Sequence, residues 1–223
     1  MRTEQRDFEI VVARFKENVD WTRPYQKHVT IYCKDPQDTN PSYFHIPNVG
    51  RESHTYLHHI IENYDDLATM TLFTQGRISD IPHHKILWNY GIPTPFNQKG
   101  IANRTPNWGK LSLGHYAQNM RFTPLTFSQW WDKYLQLPHP NHQNYFVQFM
   151  AVFSVHRDVI RTHPKSYYEN LISCVSDHVN PEEGHYFERA WYHIFCGVPV
   201  VKQSKVNTNT FRQVPKVSRY VMH

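Results

Sequence analysis

The sequence predicts an α/β fold with a mostly parallel central sheet that is flanked by helices. Two observations carry this prediction. Short apolar segments rich in Val, Ile and aromatic residues recur in the first third of the chain, and segments with helical features separate them. Strands and helices that alternate in this way form parallel sheets, because each connection crosses back over the sheet before the next strand begins.

The first two strands come early in the chain. The first is FEIVVARF at residues 8–15, an apolar run bounded by charges, and the second is VTIYC at residues 29–33. Residues 18–26 between them predict a short helix that Pro24 interrupts. Residues 34–47 contain three prolines, two aspartates and an asparagine, which indicates a loop.

A helix and a third strand complete this half of the sheet. Apolar residues recur at helical spacing over residues 56–64, and Ser53 or Asn48 is expected to cap the helix. The third strand is MTLFT at residues 70–74. Residues 8–75 therefore predict the order β-α-β-α-β.

The second half of the chain is less regular. Five glycines punctuate residues 75–121, which predicts a long irregular insertion, and such a stretch in a compact domain usually has a function. A strand-like run follows at residues 145–155. Four segments are predicted to be helical: residues 127–135, 156–163, 166–175 and 183–195.

Composition excludes several classes of protein. Aromatic residues make up 15% of the chain, which excludes a disordered protein. The sequence contains no run of 18 apolar residues, so we predict no helix that spans a membrane. The net charge of +5 suits an anionic ligand without requiring one. The three cysteines are widely spaced without a CxxC motif, so we expect free thiols in a reducing compartment. Residues 1–9 carry no signal-peptide core, and a cytoplasmic location is expected.

The first candidate site lies at the start of the first long helix, where residues 48–59 hold the densest polar cluster. An Asn-x-Gly turn at a helix start presents backbone N–H groups and the positive end of the helix dipole, which favours an anion. Arg51 could pair with a phosphate there. The alternative is a capped surface helix in which Arg51 forms a salt bridge.

The second candidate site follows the third strand, at residues 74–80. Ligands of open α/β sheets bind beyond the carboxyl ends of the strands. An acidic residue there can hold a divalent cation that in turn holds phosphate oxygens. Asp80 is the candidate ligand, with His83 and His84 nearby. The alternative is that Asp80 only forms a turn.

The third candidate site is on the last predicted helix. His185, Glu188 and Arg189 are spaced i, i+3 and i+4, which places them on one helix face. A partly buried Glu188 could act as a general base near neutral pH. The alternative is a solvated ion pair of Glu188 with Arg189 or His185.

Binding of single-stranded nucleic acid is a further possibility, because aromatic and basic residues together permit base stacking. The sequence contains no RNP-like, zinc-knuckle or helix-turn-helix signature. We therefore do not expect nucleic acid as a partner.

Six segments, taken in order, form a characteristic series: VVARFKENVDW (11–21), IYCK (31–34), IPNVGRESHTYLHHIIENYDDL (46–67), LFTQG (72–76), QFMAVFSVHRDVIRTHPKSYYENL (148–171) and FERAWYHIFCG (187–197). In these segments the chain resembles a family of largely uncharacterised fungal and viral proteins. The similarity spans about residues 9–197.

This resemblance implies a compact glycosyltransferase of the GT-A type, similar to the small enzymes with which large algal DNA viruses glycosylate their capsid protein. The GT-A fold is a Rossmann-like sheet that holds the nucleotide base at the end of its first strand. Under this resemblance the chain is one domain over residues 1–223. Residues 8–76 are its nucleotide-binding half, 77–200 its acceptor half and 201–223 its tail.

The resemblance also implies roles for individual residues. Ala13 and Arg14 border the base, Glu188 is the catalytic residue, and Asp80 is the ligand of Mn²⁺ or Mg²⁺. The other nucleotide-sugar-binding residues face the ribose or the diphosphate, or occupy the position of the metal motif: Asn48, Gly50, Arg51, His54, Gln75, Gly76 and Arg77.

One position departs from the family pattern. Arg77 stands where the family has an acidic residue, and only Asp80 remains nearby. Asp80 alone, with a histidine, could bind the metal; Arg77 could replace the metal as the countercharge of the diphosphate; or activity could be lost.

The expected reaction is transfer of a sugar from a UDP- or dTDP-linked donor to a hydroxyl of a glycan or glycoprotein acceptor. The alternative is a non-catalytic module that binds a nucleotide or a carbohydrate on the same fold.

Overall fold

The computed structural model describes residues 6–78, 102–147 and 151–197. The strands of its main sheet are β1 (Phe8–Arg14), β2 (Val29–Cys33), β3 (Phe44–His45), β4 (Met70–Gln75) and β7 (Phe153–His156). The spatial order is β3-β2-β1-β4-β7. The first four strands are parallel, and β7 pairs antiparallel with β4. The prediction of a mostly parallel α/β sheet is confirmed, and the sheet is compatible with a Rossmann-like fold.

Helices connect the strands and cover the sheet. In the described part of the chain, 3₁₀ helices span Asp20–His28 and Gly114–Ala117. The α-helices are α1 (Arg51–Glu62), α2 (Phe127–Trp130, continued by a π-helical turn over Trp131–Leu135), α3 (Arg157–Ile160), α4 (Lys165–Ser173) and α5 (Glu183–Cys196). The predicted helices are confirmed with ends shifted by a few residues, and the one predicted around Pro24 is a 3₁₀ helix.

Both faces of the sheet are buried, which explains why its strands are almost continuously apolar. Val11 and Ala13 of β1 face the larger core, to which α1 and α5 contribute. Ile10 and Val12 face a smaller cluster that includes Val19. α1 packs on β1 and against α4 and α5, so the start of α1 lies near the last helix.

Three expectations about local structure are corrected. The predicted loop at residues 34–47 contains β3. The strand-like run at residues 145–155 contains β7 and also β6 (Phe146–Val147), which pairs antiparallel with β5 (Ala102–Asn103) in a small separate sheet. Neither Asn48 nor Ser53 caps α1, because the cap residue is Gly50 in a left-handed conformation. Among the described residues, no helix has the length and hydropathy needed to cross a membrane.

Candidate functional site

The carboxyl ends of three parallel strands lie side by side at one edge of the sheet, because β1 pairs with both β2 and β4. Arg14 ends β1, Lys34 follows β2, and Gln75 ends β4. The side chain of Lys34 contacts the first residue of α1, so this helix also begins at the same edge. Ligands of open α/β sheets bind at such an edge.

Arg14 is held by several partners at the end of β1. Its Nη1 donates to Asp38 Oδ2 at 2.7 Å and to Cys33 Sγ at 2.9 Å, and its Nε donates to Glu17 O at 2.9 Å. The guanidinium also lies 5.0 Å from the ring centre of Tyr43. Arg14 therefore ties the ends of β1 and β2 to the loops that follow them.

Lys34 is a buried cation that no sequence prediction singled out. Only 5% of the residue is exposed, and its Nζ donates to Val49 O at 2.5 Å and to Arg51 O. Burial lowers the pKa of Lys34 to about 7, although the Glu52 carboxylate partly opposes this shift. The amine thus connects the end of β2 to the turn that starts α1.

The turn into α1 has a strained backbone that packs against Val175 and His178. Gly50 has φ = +64° and Arg51 has φ = 49°. A Cβ on Gly50 would lie 2.3 Å from Val175 O, so only glycine fits this close approach. The Gly50 N–H donates to His178 O at 2.8 Å and is therefore not open to a ligand. Any anion at this helix start must be bound by side chains or by other N–H groups.

The guanidinium of Arg51 reaches across to α5. Its Nη1 lies 3.1 Å from His185 Nε2, and these residues are separated by 134 positions in the sequence. On the other side of the imidazole, His185 Nδ1 lies 3.6 Å from Glu188 Oε2. The predicted phosphate-binding arginine and the predicted base are thus joined through one histidine. We call these three residues, Arg51, His185 and Glu188, the relay.

The relay has a defined proton arrangement. A guanidinium is always protonated and can only donate, so Nε2 of His185 must accept from Arg51. A neutral imidazole with an accepting Nε2 carries its proton on Nδ1. The Nδ1–H of His185 therefore points toward Glu188.

The relay is accessible from solvent. The side chains of Arg51 and Glu188 are 34% and 24% exposed, whereas that of His185 is 6% exposed. The ring of Tyr116 lies 6.0 Å from the His185 ring, and Tyr116 is itself largely exposed. Arg189 Nη1 donates to the backbone oxygen of His185 at 2.8 Å and lies 4.0 Å from Glu188 Oε2. Glu188 therefore lies within ion-pair distance of His185 and Arg189, as the alternative expected, and its side chain is also accessible to a ligand.

Two further predicted residues occupy different environments. Asn48 is exposed and lines a cleft of about 390 Å³ together with Lys34, Asp35 and Asp38. His54 is buried and its ring stacks on His58. Burial, together with the charges of Lys34 and His58, lowers the pKa of His54 to about 4, so the imidazole is neutral at pH 7.

The residues at the end of β4 interact mainly with the protein itself. The Gly76 N–H donates to Ala13 O at 2.8 Å, and a Cβ on Gly76 would lie 3.1 Å from Glu17. Gln75 Nε2 donates to Arg77 O at 2.8 Å. Ala13 is buried in the core, whereas Arg77 is exposed. Of these predicted residues, Arg77 presents the most open side chain.

The predicted metal ligand Asp80, with His83 and His84, lies outside the described residues. Within residues 6–78, 102–147 and 151–197, no three His, Cys, Asp or Glu side chains are grouped so that they could hold a metal ion. The described residues at the end of β4 and directly after it, 75–78, carry no carboxylate. We therefore derive no catalytic step through a metal.

The structure also shows what the sequence prediction missed. Lys34 directly follows a buried strand, and a charged residue in that position is a usable signal for a site at the sheet edge. The sequence predicts that His185 lies on the same helix face as Glu188, but it gives His185 no role, because its partner Arg51 is distant in sequence.

Comparison with known protein families matches part of the chain. Residues 10–93 are similar to a family described as "Protein of unknown function (DUF3431)". Searches of curated proteins and of solved structures find no match.

Proposed function

We propose that this protein is a glycosyltransferase that moves a sugar from a UDP-linked or related nucleotide-diphosphate donor to an acceptor hydroxyl. One observation carries the proposal. The relay joins a cationic side chain at the carboxyl edge of a parallel sheet to a solvent-accessible carboxylate, with 3.1 Å and 3.6 Å between neighbouring groups. This arrangement supports anion binding and proton removal at one place.

In the proposed reaction, the acceptor oxygen gives its proton to Glu188 and forms a bond to the anomeric carbon of the donor. The bond between that carbon and the diphosphate oxygen breaks, and the nucleoside diphosphate leaves. Arg51 and Arg77 offset the charge of the leaving group, since guanidinium groups bind phosphate oxygens in bidentate fashion. A Mn²⁺ or Mg²⁺ ion at Asp80, when bound, would neutralise further charge on the diphosphate.

The proposed acceptor is a glycan or glycoprotein, and the proposed location is the cytoplasm. Tyr116 supports a carbohydrate acceptor, because an exposed aromatic ring beside the relay offers an apolar face for a sugar ring. The acceptor sugar would then present its hydroxyl to Glu188.

Thermal unfolding with a panel of nucleotides and nucleotide sugars tests donor binding. A ligand at one hundred times its dissociation constant stabilises the folded state by about 2.7 kcal/mol. We expect such a shift with UDP or dTDP and their sugars, with and without Mn²⁺ as separate arms. The absence of a shift with every nucleotide would contradict the proposal.

Donor hydrolysis separates an enzyme from a non-catalytic module. We expect slow release of sugar from the donor that stabilises the protein, and a loss of about 100-fold or more in Glu188→Gln. Glu169→Gln is the matched control, because Glu169 is exposed on α4. Binding without hydrolysis in the wild type would instead indicate a nucleotide- or carbohydrate-binding module.

A further inference from the structure

We infer that His185 is a positioning residue through which an anion bound at Arg51 changes which imidazole nitrogen carries the proton, and therefore whether an N–H or a lone pair faces Glu188. The inference rests on the proposed function for the nature of the anion, which is the diphosphate of the donor, and for the role of Glu188. The underlying coupling concerns only Arg51, His185 and Glu188. It can therefore be tested without any enzymatic activity.

In the free protein, Arg51 fixes the tautomer of His185. Because Arg51 Nη1 donates to Nε2 at 3.1 Å, the ring proton is on Nδ1 and faces Glu188 Oε2 at 3.6 Å. The imidazole N–H is thus directed at the carboxylate, and Oε2 of Glu188 is engaged by this electrostatic contact while Arg51 remains on the imidazole.

An anion changes this arrangement because it competes for the same guanidinium. Arg51 is the most exposed member of the relay, and hydrogen bonds of a guanidinium to phosphate oxygens are stronger than its bond to a neutral imidazole. When Nη1 turns to the anion, Nε2 loses its donor and the ring proton can move to that nitrogen. The Nδ1–H then no longer faces Glu188, which becomes free to accept the proton of the acceptor hydroxyl.

The backbone of Arg51 is fixed, so that only its side chain can move toward an anion. Lys34 Nζ binds the backbone oxygens of Val49 and Arg51, and the turn at Gly50 is covered by Val175. The backbone of Arg51 is thus fixed in a left-handed conformation, and the change is confined to its side chain. The donor would prepare Glu188 before the acceptor reacts.

Other charged and polar groups lie near the relay. Arg189 donates to the backbone oxygen of His185 and lies 4.0 Å from Glu188 Oε2, and the ring of Tyr116 lies 6.0 Å from the ring of His185. Glu52 interacts with Arg51 Nε at 3.7 Å. Arg189 is a useful control, since it is a second guanidinium beside the same histidine and its hydrogen bond goes to the backbone oxygen.

Nitrogen NMR of the full-length protein labelled with ¹⁵N-histidine measures the tautomer directly, and His185→Gln identifies the signal. We expect the Nδ1–H tautomer in the wild type and a shift toward the Nε2–H tautomer in Arg51→Met. Arg189→Met should retain the wild-type tautomer. Saturating pyrophosphate, with saturation established by titration calorimetry, should shift the wild type in the same direction as Arg51→Met.

Three results would overturn the inference: an unchanged tautomer in Arg51→Met, an unchanged tautomer in the wild type with pyrophosphate bound, or no binding of pyrophosphate to the wild type. The proposed function fails in a different way. If the tautomer responds to Arg51→Met and to pyrophosphate but no nucleotide sugar is hydrolysed, the coupling stands and the transferase does not. If hydrolysis occurs and the tautomer does not respond, only the inference fails.

Discussion

Each end of α1 lies beside a histidine–glutamate pair, and the two pairs have opposite environments. At the start of the helix, His185 Nδ1 lies 3.6 Å from Glu188. Near its end, His59 Nε2 lies 3.6 Å from Glu9 of β1. The same two chemical groups at the same distance therefore occur once in a solvent-accessible site and once in the core.

The pair near the end of α1 is enclosed. The side chains of His59 and Glu9 are 1% and 3% exposed. Glu9 accepts from Thr30 Oγ1 at 2.5 Å and from Arg6 Nη1 at 2.9 Å, and His59 Nδ1 lies 3.1 Å from the hydroxyl of Tyr32. The network connects β1, β2 and α1, and we interpret this pair as part of the structure of the protein.

The two pairs differ in the partner of the second imidazole nitrogen. The second nitrogen of His59 is bound to a buried tyrosine, which no ligand can reach. The second nitrogen of His185 is bound to Arg51, whose side chain is 34% exposed. Only the latter partner can be drawn away by an anion, and for this reason we assign function to the start of α1.

The largest expected effect distinguishes the two glutamates by stability. Glu9→Ala removes one partner of a buried charged network and should lower the free energy of unfolding by about 3–5 kcal/mol. Glu188→Ala removes a partly exposed ion pair and should cost only about 0–1 kcal/mol. Urea denaturation measures both. Equal losses in the two variants would contradict the distinction between a structural and a functional pair.

A smaller effect is expected at the strained turn that positions Arg51. Gly50→Ala should lower stability by about 1–3 kcal/mol for the left-handed backbone, with a further loss because the new Cβ meets Val175 O. Gly114 is the matched control, since it has φ = +53° but no atom within 4 Å of the added Cβ. Gly114→Ala should therefore cost only about 1–2 kcal/mol. If denaturation shows that Gly114→Ala costs as much as Gly50→Ala, close packing is not what requires glycine at the turn.

A third expected effect is a dependence of stability on pH. Burial lowers the pKa of His59 to about 3, and those of His54 and His193 to about 4, from an ordinary value of 6.5. Below about pH 6.5 the unfolded chain takes up protons that the folded protein does not, so stability falls as pH falls toward 4. Each histidine lowers the free energy of unfolding by up to about 1.4 kcal/mol for each pH unit in this range.

Unfolding measured at several pH values between 6.5 and 4.5 tests this expectation. His59→Gln removes one of the three groups, so its stability should fall less steeply with decreasing pH than that of the wild type. A variant with the same slope as the wild type would show that His59 is not kept neutral by burial.

Much of the sheet could be predicted from local sequence. The segments FEIVVAR, VTIYC and MTLFT are apolar, short and bounded by polar residues, and they form β1, β2 and most of β4. The spacing that predicted His185 and Glu188 on one helix face also holds, because an α-helix repeats every 3.6 residues. These features depend on neighbours within a few positions.

Other features depend on contacts between distant segments. Gly50 caps α1 because Val175 and His178 close over it, more than a hundred residues later, and no local pattern encodes that approach. The two-residue strand β3 exists only because β2 offers an unpaired edge. The partnership of Arg51 with His185 likewise depends on how α1 and α5 pack.

Titration calorimetry of UDP with three proteins tests the central claim most directly. We expect UDP to bind the wild type and to bind Arg51→Met at least about 10-fold more weakly, because a charge-assisted hydrogen bond contributes about 1.5–3 kcal/mol. Arg161→Met should bind as the wild type does, since Arg161 contacts Tyr64 O, beyond the far end of α1. Equal affinity in wild type and Arg51→Met, or no binding to the wild type, would contradict an anion site at the start of α1.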